Sequence, residues 1–431
     1  MGPKALARRP AGGVLKGAVA TALLVFILTY VAVAAGRIPG LSVDRPSAAL
    51  LGAVLMVATR VLSPAEAGSA VNGDTLGLLL GTMILSAYLG EAGFFRWASG
   101  RVLRSVAGAR ALLWAVVFTA GVLSAFLVND TVCLMLTPLV IRLVDDARLP
   151  ALPYLLALAF GANAGSAATL TGNPQNMIVG TLSGIPYATF AAALAVPALL
   201  SLVLVAAVLH AVFHRDLPQG PLSPPPAADA GVEPRLLAKS LGATALAVAG
   251  FLAGFPLSWT ALFCAAALMA VAGRRPREAL ARVDWPLLVF FAGLFVVVAG
   301  VARAGAATRM HDAVLPLLGT GGARQVVAFS VFTVAGSQLV SNVPFVILAG
   351  EWIPRMQDPR LLWLATALAS TLAGNLTVLG SVANVIVLEL AGSRAQISFW
   401  RFARIGATVT ALTLPAGLGA LLLERRLGLL G

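Results

Sequence analysis

"AFLVNDTVCLML", residues 125–136, sets Asn129, Asp130 and Thr131 inside an apolar run, and "SQLVSNVPFVIL", residues 337–348, repeats the pattern with Ser341 and Asn342 at the matching place. A charged Asp at the middle of a bilayer costs about 3 kcal/mol on insertion scales, so a polar break of this kind persists for a reason. Unsatisfied backbone is equally costly there. Such breaks survive only where they are buried in protein or line a water-filled cavity.

The rest of the chain establishes that a bilayer is its surroundings. Of 431 residues, 59% are hydrophobic and 11% charged, with a mean hydropathy of +0.93. Soluble domains carry about a quarter charged residues. Apolar runs recur from residue 13 to residue 425, and at about 20 residues per spanning helix they make roughly ten spans. The expectation is an all-α, polytopic protein of the cell (inner) membrane, with the lipid bilayer as a partner. A signal peptide followed by a soluble domain is excluded. The formal charge of +13 comes from arginines in short clusters between apolar runs, with no basic face interleaved with aromatics, so nucleic acid is not a partner. Cys133 and Cys264 stand alone in apolar segments, without metal or disulfide spacing.

Working outward from the two breaks, a second pair of motifs keeps the register. "GSAATLTGNPQNMIVG" from Gly165 corresponds to "AGNLTVLGSVANVIVL" from Ala373, which aligns Gly172 with Gly380 and Asn176 with Asn384. "DTLGLLLGTMILSAYLGEAGFFRW" from Asp74 corresponds to "DWPLLVFFAGLFVVVAGVARAGAATR" from Asp284. The separations are 213, 208 and 210 residues, the signature of an internal repeat. Between the copies, "HRDLPQGPLSPPPAADAGVEPR", residues 214–235, reads as a Pro-rich cytoplasmic linker. The first repeat is residues 1–213, with a hairpin at about 110–143 and a broken helix at about 151–181. The second is 236–431, with a hairpin at about 324–356 and a broken helix at about 361–391.

Loop charge gives the sense of the repeats. Arg96, Arg101, Arg104 and Arg110 follow the third span of the first half, where only Arg60 precedes it. In the second half Arg274, Arg275, Arg277 and Arg282 come before the matching span. The arginine-rich side has switched, so the positive-inside rule makes the halves antiparallel, an inverted repeat of the kind found in secondary transporters. Tracing back from Arg96 places the amino terminus outside, against the charges of Lys4, Arg8, Arg9 and Lys16, and the side of the terminus stays open.

Four polar breaks therefore sit at membrane depth: Asn129, Asp130 and Thr131; Thr171, Gly172 and Asn173 with Asn176; Ser341 and Asn342; and Gly380 and Ser381 with Asn384. The flanks of the first and third suit re-entrant hairpins, and those of the second and fourth suit discontinuous helices. Half-helix N-termini at such breaks offer free N–H groups to an anion, while free carbonyls and Asn or Thr oxygens offer ligands to a cation. These residues are the candidate substrate- and ion-binding set. Asp130 is the lone carboxylate among them and is the candidate coupling group; the competing reading makes it a helix cap. Thr169 and Thr377 face the cavity or pack as small residues. The sequons at Asn129 and Asn375 lie too deep for glycosylation. Glu91, Glu351 and Glu389 read as solvated or interfacial, and "RWASGRVLRSVAGAR" as an amphipathic surface helix. His210, His214 and His311 lack ligand spacing, so no metal site is expected.

At these motifs the chain resembles the ion transporter superfamily that contains arsenite permeases, citrate-transporter-like anion permeases, divalent anion/sodium symporters and the P protein. "VNDTVCLMLTP" is similar to the arsenite-permease hairpin, "ATLTGNPQNMIVG" to the shared broken helix, and "SNVPFVILA" and "AGNLTVLGSVANVIV" to their second copies. The resemblance implies two inverted repeats, each with a scaffold part and a transport part, an elevator-type movement, and a homodimer. Dicarboxylate symporters carry Ser-Asn-Thr at both tips, whereas Asn129 to Thr131 and Ser341 to Val343 read Asn-Asp-Thr and Ser-Asn-Val here. The comparison tilts toward the arsenite-permease or anion-permease branch.

The expected function is secondary transport of a small anion or a metalloid oxyanion or hydroxide, coupled to a proton or sodium gradient. A sodium/proton antiporter on the same fold is the alternative. No cofactor beyond the coupling ion is expected, and no enzyme: neither a GxSxG-type nucleophile nor a P-loop occurs.

Overall fold

The structure is a computed structural model that describes residues 12–35, 43–104, 106, 108–218, 220 and 231–429. The basic amino-terminal residues Lys4, Arg8 and Arg9 and most of the Pro-rich linker lie outside the described residues. Among the described residues the regular elements are helices: twenty α-helices in two successive sets of ten, with three short 3-10 helices in the second set. The first set is α1 (Gly12–Ala35), α2 (Arg45–Ala58), α3 (Pro64–Ala70), α4 (Gly73–Glu91), α5 (Phe94–Arg104), α6 (Ala109–Phe126), α7 (Asn129–Asp146), α8 (Ala151–Ser166), α9 (Pro174–Ser183) and α10 (Tyr187–Phe213). The second is α11 (Pro234–Leu252), α12 (Leu257–Val271), α13 (Pro276–Leu280), α14 (Trp285–Arg303), α15 (Ala306–Leu318), α16 (Gly322–Val340), α17 (Asn342–Ala349), α18 (Pro359–Ala373), α19 (Val382–Ala391) and α20 (Phe399–Arg426). Long, short and broken helices follow one another in the same order in both sets.

Among the described residues, eight helices are long and apolar enough to cross a membrane: α1, α4, α6, α10, α11, α14, α16 and α20. The apolar helices α2 and α12 are shorter. The protein is a multi-pass integral membrane protein. Its helix starts are written in the sequence. Asp44 and Ser63 close capping boxes with Ser47 and Glu66, and Asn173, Asp358 and Ser381 cap α9, α18 and α19 through their side chains. Each satisfies N–H groups that a helix start leaves free. Pro174 and Pro359 occupy the first turn, where a missing N–H costs nothing.

The chain divides into two compact units. The first contains Met1–Asn72, Trp285–Leu317 and Ile347–Arg355, and so joins α1 to α3 with α14 and much of α15. In it α2 lies on α14, and a Cβ on Gly293 would stand 2.7 Å from the Ala49 backbone. Only glycine permits that approach. Trp352 donates through its indole N–H to the Ala307 carbonyl at 3.0 Å. The second unit contains Gly73–Asp284, Leu318–Val346 and Met356–Gly431. In it α12 lies on α4, and a Cβ on Gly81 would stand 2.6 Å from the Ala261 backbone. Counted from the first residue of each helix, Gly81 and Gly293 are both ninth, and Ala261 and Ala49 are both fifth. Within each unit, then, the opening helices of one set lie on the fourth helix of the other.

Glu91, read as solvated or interfacial, keeps 10% of its side chain exposed and pairs with Arg282 at 3.2 Å, which fits the interfacial reading. The second hairpin, expected over about 324–356, has a short return arm: α17 stops at Ala349, just before Gly350, and a 3-10 turn over Ile353–Arg355 follows. The helix α5 buries Phe94 and Phe95, and the Arg101 guanidinium sits 5.7 Å over the Trp97 ring.

Candidate functional site

All four polar breaks fall in the second unit. Between α8 and α9 the chain is irregular over residues 167–173, and between α18 and α19 residues 374–381 leave the α-helix, with a single 3-10 turn over Val378–Gly380. Such a break frees backbone carbonyls in a buried setting, and they need donors. Asn176 supplies them in the first: its Nδ2 donates to the Ser166 carbonyl at 3.1 Å and the Thr169 carbonyl at 2.9 Å. Asn384 does the same in the second, donating to Gly374 at 2.7 Å and Thr377 at 3.0 Å. Every partner has moved by 208 residues. Asn176 and Asn384 are therefore braces whose amide hydrogens are used on backbone.

The two breaks are also cross-linked. Asn163, on α8, donates through Nδ2 to Asn375 Oδ1 at 2.9 Å and to Asn384 Oδ1 at 3.1 Å, and its own Oδ1 accepts from Ser381 Oγ at 3.0 Å. Thr371 holds the equivalent place on α18, and its hydroxyl receives Asn173 Nδ2 at 3.2 Å and Gln175 Nε2 at 3.4 Å. Asn173 also caps α9 by accepting from the Asn176 N–H at 2.9 Å. A residue of each broken helix thus holds the other.

The hairpin tips attach differently. At the first, the Asn129 N–H donates to the Gly172 carbonyl at 2.9 Å, and Asn129 Nδ2 donates to Asn163 Oδ1 at 3.1 Å. A Cβ on Gly172 would overlap the Ser166 carbonyl, so that position must be glycine for space. At the second, Ser341 adopts a φ of 75°. Three residues earlier Gln338 donates to the Ala373 carbonyl at 2.7 Å and accepts from Thr377 Oγ1 at 2.8 Å. Thr169, equivalent to Thr377, donates to the Ala125 carbonyl, so both threonines tether a hairpin.

Asp130 lies in the first turn of α7, which is preceded by Val128 with no side-chain cap. The capping reading of Asp130 falls. Asp130 and Thr131 are half-buried, and among the described residues no side chain bonds the Asp130 carboxylate. Thr171 meets Tyr187 across 3.2 Å and Thr169 across 3.3 Å. Gly380 is close-packed, with a would-be Cβ 3.1 Å from the Gly374 carbonyl. Hence Asn129, Asn173, Asn176, Ser381 and Asn384 are brought into one hydrogen-bonded network. Thr131, Ser341 and Asn342 stand outside it. Asn375 is fully buried, which closes its sequon to glycosylation.

Several buried polar atoms in this region have no partner: Asn129 Oδ1, Asn342 Oδ1, Asn375 Nδ2, and the hydroxyls of Ser124 and Ser337. Asn129 and Asn342 are equivalent in the repeat, as are Ser124 and Ser337. No lysine or arginine among the described residues bonds to the network. The residues that sequence reading missed are Asn163, Thr371, Gln338 and Asn375. Their signal was faint: an isolated Asn in "FGANAGSAA" and an isolated Gln in "GSQLV".

Comparison with known proteins agrees with this architecture. Residues 22–358 match the family described as citrate transporter. The chain is 31% identical over 451 residues to the silicon efflux transporter LSI3 of Oryza sativa subsp. japonica, covering 88% of this chain and 93% of that protein. It is 28% identical to the arsenical pump membrane protein of Escherichia coli (strain K12), covering 87% and 92%. The crystal structure of the Alcanivorax borkumensis YdaH transporter shares the fold, with a TM-score of 0.57 at 16% identity over 96% of this chain and 98% of that one. The all-helical fold, the multi-pass span pattern and these likenesses together make the chain a membrane transporter that belongs to the citrate transporter family.

Proposed function

We propose that the chain is a secondary carrier of the cell membrane for a small, neutral, multiply hydroxylated metalloid acid, coupled to protons through Asp130. The observation that carries this reading is the set of unpartnered buried atoms. An unmade buried hydrogen bond costs about 1–3 kcal/mol, so such atoms mark where a ligand completes the site. Two are acceptors, one is an amide donor and two are hydroxyls. A solute such as arsenous or silicic acid offers O–H donors and oxygen acceptors from the same atoms and complements this mixture. A polyanion offers acceptors alone and would leave Asn129 Oδ1, whose orientation is fixed through Asn163, facing like charge. The names of the silicon and arsenical relatives point the same way.

Asp130 suits the coupling role because it is the carboxylate at the tip and has no side-chain partner among the described residues. The matched bonds of Asn176 and Asn384, and the exchanged packing on α4 and α14, support the inverted repeat. An elevator-type movement accords with the shared fold. A sodium/proton antiporter is favoured by the free acceptor oxygens alone and leaves the Asn375 donor without a purpose.

Purified protein in liposomes, offered arsenite, silicic acid, phosphate, sulfate and citrate under imposed proton or sodium gradients, tests the proposal. Saturable flux of arsenite or silicic acid driven by the proton gradient is expected, with Asp130→Asn losing the pH dependence and retaining downhill flux. Flux of citrate or sulfate alone would overturn the solute assignment. Proton or sodium flux with none of these solutes would install the antiporter.

A further inference from the structure

Asparagine amides can be turned either way, and at each position the neighbours decide which atom faces where. In this network the decision is made at one place. The two partners of Asn384 Nδ2 are backbone carbonyls, of Gly374 and Thr377, which can only accept. That fixes Asn384 Oδ1 toward Asn163, so Asn163 must present its Nδ2 there. Asn163 Oδ1 is then turned toward Ser381 and Asn129, and Asn129 must present Nδ2 in return. With both hydrogens and both lone pairs of Asn163 engaged, it has no freedom to flip. The chain ends at Asn129 Oδ1, which is left buried and unpartnered.

We infer that Asn163 sets the donor–acceptor polarity of the first hairpin tip, making it a specificity-determining positioning residue that presents an acceptor to the solute. The inference rests on the reading of the tips as the solute site. The second tip supplies the internal contrast. Thr371 occupies the equivalent place, and its hydroxyl reaches Asn173, Gln175 and Asn176. It makes no hydrogen bond to Asn342. Among the described residues no relay of this kind orients the second tip, so the Asn129 amide is anchored and the Asn342 amide is not, even though the two tips align in sequence.

Asn163→Thr copies the side chain that the other broken helix already tolerates, with Asn163→Ser as the second variant and thermal melting as the check on folding. Freed from Asn163, the Asn129 amide can rotate and offer either atom. For a solute that donates hydroxyl hydrogens, KM should rise about tenfold with Vmax within about twofold of wild type. An unchanged KM, or a fall in Vmax alone, would overturn the inference. If the wild type carries an anion instead, the functional reading fails while the relay predicts the opposite sign, a KM about tenfold lower in Asn163→Thr; an unchanged or higher KM would again overturn it. If no solute in the panel is carried, backbone amide exchange across residues 127–131 decides. Faster exchange in Asn163→Thr supports the anchoring of the tip, and equal exchange overturns it.

Discussion

Gly172 and Gly380 show how single residues hold the breaks open. Both sit opposite a carbonyl six residues earlier, Ser166 and Gly374, and neither has a positive φ, so space and not conformation requires glycine. The clearances differ. A Cβ on Gly172 would overlap the Ser166 carbonyl and press on that residue's Cα, all of it backbone, whereas on Gly380 it would meet Gly374 at 3.1 Å and the movable Gln338 amide at 3.2 Å. Overpacking costs about 1–3 kcal/mol. Gly172→Ala should therefore lower thermal stability in detergent by more than Gly380→Ala, with about 2 kcal/mol lost for the first and about 1 kcal/mol or less for the second. Equal melting temperatures for the two variants would show that the first break relaxes freely. These glycines were legible in the sequence because glycine beside Asn and Pro in an apolar run has few other readings. Asn163 was not legible. One asparagine in a Gly- and Ala-rich helix looks like packing until partners more than 200 residues away are brought to it.

At the level of elements, start signals and breaks were readable and helix partners were not. The stretches "TGNPQN" and "LGSVAN" carry their own caps in Asn173 and Ser381, so the places where α9 and α19 begin follow from local chemistry. The short helix α3 is another such case, and it carries a testable pH dependence. Glu66 accepts from the Ser63 N–H at 2.8 Å and from Arg303 Nε at 3.1 Å. The Ser63 backbone bond first, then Arg303, holds its carboxyl down at about 2 against an ordinary 4.5. A carboxyl whose folded pKa is depressed stabilises the fold above its ordinary value, and the contribution is lost as pH falls toward the folded value. Glu66→Gln should therefore melt earlier than wild type at pH 7, and the difference should shrink below about pH 4.5 and vanish near pH 2. A difference that persists at pH 2 would assign the effect to packing. Because the Glu66–Arg303 pair is open to solvent, with 43% and 67% of the two side chains exposed, the shift at pH 7 should be small.

For the whole molecule, the sequence displayed two copies but could not display how they share helices. Read from register, the repeats are residues 1–213 and 236–431. The packing runs between these two stretches: α4 finds its partners in α11 and α12, and α14 finds its partners in α1 and α2. Both exchanges use the same contact, a glycine of the fourth helix against an alanine of the second, Gly81 on Ala261 and Gly293 on Ala49. In lipid, where close van der Waals approach replaces the hydrophobic drive, such small-residue contacts are a principal source of helix association. A half expressed alone therefore exposes its fourth helix without a partner. Residues 1–218 and 231–431, produced as two chains in one cell, should assemble and copurify in equal amounts through a tag on either, and should recover the solute flux of the intact protein. Each half alone should aggregate or be degraded. Gly81→Leu in the first fragment should abolish copurification, since a four-carbon side chain cannot enter a contact that lacks room for a Cβ. Monodisperse, stable halves obtained separately would show that each repeat closes its own core, and the exchanged pairs would then contribute little to assembly.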